Sequence, residues 1–151
     1  MPTIILETKI SAPLKEVFDI ARSVDVHMKS TSQTNEKAIG GKVSGLVVLG
    51  DEITWQAKHF GLNQKLKVKI IEFEYLKSFT DEMVFGAFQS MKHHHIFEEK
   101  EDYVLMKDEF IYHAPLGILG RLAEKLFLTK YMKTFLLNRN QYLKDTVEAN
   151  S

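Results

Sequence analysis

The stretch from Leu116 to Asn150, LGILGRLAEKLFLTKYMKTFLLNRNQYLKDTVEAN, contains no proline and follows a series of alternating, strand-like segments. A helix of that length must lie across whatever sheet those segments build. Ala114-Pro115-Leu116-Gly117 stops the strand before it, because proline cannot continue a ladder and glycine relieves the turn. Beyond that stop, Leu119, Leu122, Ala123, Leu126 and Phe127 share one side of a helical wheel. Leu128, Tyr131, Met132, Phe135, Tyr142 and Leu143 share the other, while Lys130, Lys133, Lys144 and Glu148 continue the first stripe. A straight helix would bury opposite faces in its two halves, which predicts a break or bend near Phe127 to Lys130. Either the first half is enclosed on all sides, or Leu119, Leu122 and Leu126 form a lid or a partner surface.

At 151 residues the chain fits one domain, 1–151, with room for a real hydrophobic core. Lys plus Arg and Asp plus Glu stand at 20 each, so no basic excess steers it to nucleic acid. The absence of cysteine excludes disulfides and thiol chemistry and is compatible with a cytoplasmic protein. Ile4, Ile5 and Leu6 form too short an apolar run for a signal peptide, and no segment approaches the length of a membrane span.

Thr3 to Ile10 reads as a first strand, followed by a short helix with Ser11 as its N-cap and Pro13 in its first turn. A second helical turn covers Ser23 to Ser30. The glycine-punctuated stretch from Thr31 to Gly50 holds a short strand at Glu36 to Ile39 and a loop in position to gate a cavity. Gly41-Lys42-Val43 lacks the glycine spacing and the Ser/Thr of a phosphate loop.

From Asp51 to Phe60, Ile53, Trp55, Ala57 and His59 share one face. Gly61-Leu62-Asn63 turns the chain, and Gln64 to Glu74 then places Leu66, Val68 and Ile70 inward against Lys65, Lys67 and Lys69, a solvated sheet face. Phe79 to Phe85, Ser90 to Glu99 and Tyr103 to His113 complete the series through short turns, so antiparallel pairing is the economical topology. The fold class is α+β: a curved antiparallel sheet of about six or seven strands, two short helices after strand one, and a long C-terminal helix gripped by the sheet.

The run Phe79-Thr80-Asp81-Glu82, then Gly86-Ala87-Phe88, His93-x-His95-x-Phe97, and Asp108-Glu109-Phe110 before Pro115-Leu116-Gly117 resembles the SRPBCC superfamily, also called START-like or helix-grip. It is similar especially to bacterial members described as polyketide cyclase/dehydrase-related or cell-division-inhibitor-like. Asp25-Val26-His27, Gly50 to Trp55 and His59-Phe60-Gly61 fit the same pattern, which so spans nearly the whole chain. Where the pattern commonly has Gly-Pro-Phe, this chain has Gly86-Ala87-Phe88, a less rigid turn. The resemblance implies a deep cavity between sheet and helix for a lipophilic or aromatic small molecule. Relatives of this kind include binders, transporters and a few cyclases.

On a strand, His93 and His95 project to one face about 6.7 Å apart, and His94 to the other. A zinc site there needs a third ligand, such as His59 or Asp108, and an open position. The preferred reading is that they line or rim the cavity as neutral polar handles, with no metal and no cofactor. Asp108 sits on an apolar face between Met106 and Phe110, where a carboxylate must be hydrogen-bonded, paired or protonated. Trp55, His59, Met83, Phe85, Phe110 and Tyr112, with Leu122 and Leu126 from the helix, complete the expected ligand-binding set.

The function expected first is non-enzymatic binding of a hydrophobic small molecule between sheet and helix. One alternative is a cyclase- or hydrolase-type enzyme using His93, His95 and Asp108. Another is an interaction module, possible homodimer included, that uses the Leu119/Leu122/Leu126 stripe.

Overall fold

A computed structural model describes residues Pro2 to Asn150; Met1 and Ser151, the ends of the expected domain, lie outside it. Strand β1 (Thr3–Ile10) is followed by helices α1 (Leu14–Ala21) and α2 (Val24–Ser30). Strands β2 (Lys37–Gly41), β3 (Glu52–His59), β4 (Leu62–Glu74), β5 (Ser78–Gly86), β6 (Ser90–Glu99) and β7 (Val104–His113) come next. The chain closes with α3 (Gly117–Ala123), a π-helical turn (Glu124–Leu128) and α4 (Thr129–Ala149). Among the described residues no helix is long and apolar enough to cross a membrane.

The strands form one antiparallel sheet in the order β1-β7-β6-β5-β4-β3-β2, so successive strands from β2 to β7 are neighbours and β1 joins the far edge. Alternation sets which side chains face α4. In β7, Val104, Met106, Asp108, Phe110 and Tyr112 are all buried, while the residues between them are half-exposed. α1 and α2 bridge from β1 towards β2, as a curved sheet requires at one end. There Phe18 meets Phe73, Phe79 and Phe97 edge-on, with centroids 5.7, 5.8 and 5.1 Å away. Met106, Leu143 and Val147 pack into the same cluster and plug that end of the grip.

Two local expectations about turns and caps are corrected. The β3–β4 hairpin turns on Phe60 and Gly61, both with positive φ (52° and 76°), and His59 pairs with Leu62, so Leu62 and Asn63 belong to the strand. Ser11 caps nothing: α1 begins at Leu14 with Pro13 at the N-cap, too far along for the Ser11 side chain to reach, and Ser11 N instead donates to Glu148 Oε2 at 2.8 Å. Ser23, by contrast, does cap α2, its hydroxyl accepting from Val26 N.

The break in the long helix starts three residues earlier than expected, at Glu124. Glu124 is buried, and its carboxylate accepts from Ala114 N at 2.7 Å, pulling the helix towards the end of β7 where it widens. Beyond the turn, α4 buries Met132, Leu136, Leu143 and Val147, whereas Tyr142 stays at the surface. Before and within it the apolar residues are not enclosed: Leu119, Leu122 and Leu126 are 70, 52 and 68% exposed.

Candidate functional site: a cavity with a polar floor

Because the aromatic plug fills one end of the grip, the space between sheet and α4 stays open at the other. A cavity of about 310 Å³ lies there. Inward positions of the sheet supply Trp55, Ala57, Val68, Ile70, Met91 and Phe110; α4 and its π turn supply Leu128, Tyr131, Met132, Phe135 and Leu136. The loop after β2 folds inward, burying Val47 against the cavity, with Val47 N donating to Arg22 O at 3.0 Å.

Of the residues singled out from the sequence, Trp55, His59, His93, His95 and Phe110 line this space. Met83 packs beside the apolar core without reaching the cavity. Phe85 is displaced by a bulge: Met83 pairs with Val68 but Phe85 pairs with the outward Lys67, so the alternation flips between them. Tyr112 is fully buried, its hydroxyl bonded to Thr129 Oγ1 at 2.6 Å, which ties β7 to the start of α4. Leu122 and Leu126 precede the corrected helical phase and point to the surface.

The cavity floor is charged. Asp108 lies behind it, completely buried, and receives three donors: His93 Nε2 at 2.7 Å and Arg139 Nη1 at 3.3 Å on Oδ1, and Asn140 Nδ2 at 2.7 Å on Oδ2. Burial opposes ionisation, but the His93 hydrogen bond and the charges around it outweigh burial and hold Asp108 well below the usual carboxylate range. An ionised Asp108 accepts only, so His93 Nε2 carries the proton. The neighbouring His95 Nε2 lies 2.8 Å from Asp81 Oδ1. Burial, reinforced by His93, lowers His95 to about 4 despite that bond, so its ring is neutral near pH 7. Its Nε2–H donates to Asp81, whose carboxyl is kept low by the same contact against burial. His95 Nδ1 is then a buried acceptor without a partner, 3.7 Å from Asp108 Oδ1.

Asp81, His93 and His95 offer ligand atoms within 4.8 Å of one another, so the third member of the cluster is Asp81, and His59 is elsewhere. His59 sits at the mouth, Nδ1 bonded to the Tyr131 hydroxyl at 2.6 Å. The His93 and His95 rings stack, centroids 3.7 Å apart and planes 27° from parallel. Their in-plane lone pairs therefore run side by side; a shared ion would require one ring to turn and give up its carboxylate. As they stand, these groups form a hydrogen-bonding floor.

Arg139, Asn140 and Asp81 were not singled out as site residues. Their signal was available: Arg139 and Asn140 interrupt the stripe Met132, Leu136, Leu143, Val147, and Asp81 alternates in phase with Phe79. A charge inside an apolar stripe needs a partner across the core.

No protein-family model matches the sequence, and no curated protein matches it. Solved structures do match, and they show the fold: the chain has the helix-grip architecture found in START-like, SRPBCC-type proteins. TTHA0849 from Thermus thermophilus superposes with a TM-score of 0.80 at 18% identity, covering 99% of each chain. A START superfamily protein from Mycobacterium smegmatis gives 0.74 at 10% identity, again over 99% of each chain. Ginseng major latex-like protein 151 from Panax ginseng gives 0.70 at 17% identity over 97% of each.

Proposed function

We propose that this protein binds a lipophilic small molecule carrying a polar group, held between the sheet and α4. The observation that supports this reading is the cavity itself, about 310 Å³ with aromatic and aliphatic walls and a few convergent polar groups at one end. That size and composition suit a small organic ligand. Its apolar body would be buried against Trp55, Phe110 and Phe135, and its polar end would meet His93 or Arg139, which both line the cavity.

The test is native mass spectrometry of freshly purified protein, followed by denaturing extraction, beside Ala57→Phe. Ala57 faces the cavity, so the added ring fills it without displacing packed core. A retained lipophile on the wild type and none on a normally folded Ala57→Phe is the expected result. An equal load on both would move the binding site elsewhere. A second reading, acid–base chemistry on a bound carbonyl compound, draws support from the His93–Asp108 pair beside the cavity. It would be favoured if the extract held open-chain and cyclised forms whose ratio changes in His93→Gln.

A further inference from the structure

Around the mouth of the cavity the surface is more apolar than a water-facing surface has reason to be. Leu116, Ile118, Leu119, Leu122, Leu126 and Phe127 are all more than half exposed within a single segment. The patch continues past the helix: Phe127 meets Phe60 edge-on at 5.9 Å, and Phe60 packs on Tyr131 at 4.5 Å. Phe60 and Tyr131 both border the cavity, and Leu62, exposed at the same hairpin, extends the surface. Isolated apolar side chains on a surface are ordinary, but a contiguous patch of this extent marks a docking site.

The charges decide what docks. Between Leu116 and Lys133 the exposed ionic side chains are Arg121, Lys125, Lys130 and Lys133, all cationic. The one acidic residue in the segment, Glu124, is buried against Ala114 N. Ile118, Leu122 and Leu126 follow one another at four-residue spacing, and Arg121 and Lys125 run beside them at the same spacing, an apolar row edged by a basic one. The chain as a whole is neutral, so this is a local concentration of charge. Pairing with a second copy across a two-fold axis would set these cations against themselves with no exposed carboxylate in the segment to meet them. An anionic lipid surface satisfies both rows at once: leucines and phenylalanines enter the acyl boundary while the basic side chains reach the headgroups.

We infer that the α3 and π-turn face is a docking surface for an anionic lipid bilayer, which sets the cavity mouth against the membrane. The experiment is co-sedimentation with vesicles of phosphatidylcholine alone and with vesicles that also contain phosphatidylglycerol, at low and high salt. Wild-type protein is expected to sediment with the anionic vesicles at low salt, much less at high salt, and little with the neutral ones. Leu122→Glu/Leu126→Glu and Arg121→Gln/Lys125→Gln/Lys130→Gln alter exposed positions only; both should keep the wild-type thermal transition and bind at least about tenfold more weakly. Ala57→Phe should bind vesicles like the wild type, which separates this inference from ligand binding. No sedimentation with anionic vesicles at low salt overturns the proposal, as does equal binding to both vesicle types. Sedimentation velocity showing a wild-type dimer that Leu122→Glu/Leu126→Glu dissolves would also overturn it, in favour of a second copy on this face.

Discussion

Asp108 is the residue with the most to lose from a single substitution. Its carboxylate neutralises the buried Arg139, so Asp108→Asn strips that guanidinium of its nearest counter-charge. Breaking a buried pair from one side costs about 3–5 kcal/mol, and urea denaturation should find a loss of that size. A loss below about 1 kcal/mol, typical of exposed pairs, would mean the guanidinium finds another partner. His95 makes a different demand. Its folded-state value near 4 lies below the ordinary histidine value of about 6.5, so the stability it contributes is complete above about pH 6.5 and is lost as pH falls towards 4. In that window the slope approaches about 1.4 kcal/mol per pH unit, and His95→Gln should flatten unfolding free energy measured against pH. The carboxylates are lost only at lower pH, since Asp81 and Asp108 are both depressed. That Asp108 needs partners was legible from its place between Met106 and Phe110. Which partners was not, because they come from a helix whose rotation depends on one irregular turn.

That turn is also where the reading of whole elements fell short. Strand alternation is a local property, and the inward faces of β3, β4 and β7 follow directly from Ile53/Trp55/Ala57, Leu66/Val68/Ile70 and Val104 to Tyr112. The flip of apolar side along the helix was equally visible. Its position was not, because Glu124 gains its role only when β7 brings Ala114 N within reach. The bulge that turns Phe85 outward is hidden for the same reason: it exists only in the pairing with β4. α3 has its own constraint. A Cβ on Gly120 would lie 1.9 Å from Pro115 O, a backbone atom that cannot swing away. Gly120→Ala should therefore displace α3 and lower stability by roughly 1–3 kcal/mol in thermal or urea unfolding. An unchanged transition would show that the segment before α3 moves freely.

The molecule as a whole divides into a filled end and an open one. Phe18 and its aromatic neighbours occupy the first, and the cavity and its apolar rim occupy the second. That division was legible only as an enclosed space, since its volume depends on side chains too far apart in sequence for periodicity to relate them. The sheet order carries a further consequence, for how the chain reaches this state. From β3 to β7 each strand pairs with the one before it, through connections that close quickly. β1 pairs only with β7, Thr3 opposite Ile111 and Ile10 opposite Val104, so the earliest of these seven strands to be made is the last to find its partner. Closing that long loop raises the contact order and slows folding. Until it closes, β1 is a strand with no partner on either side, which the growing chain must shield until β7 arrives.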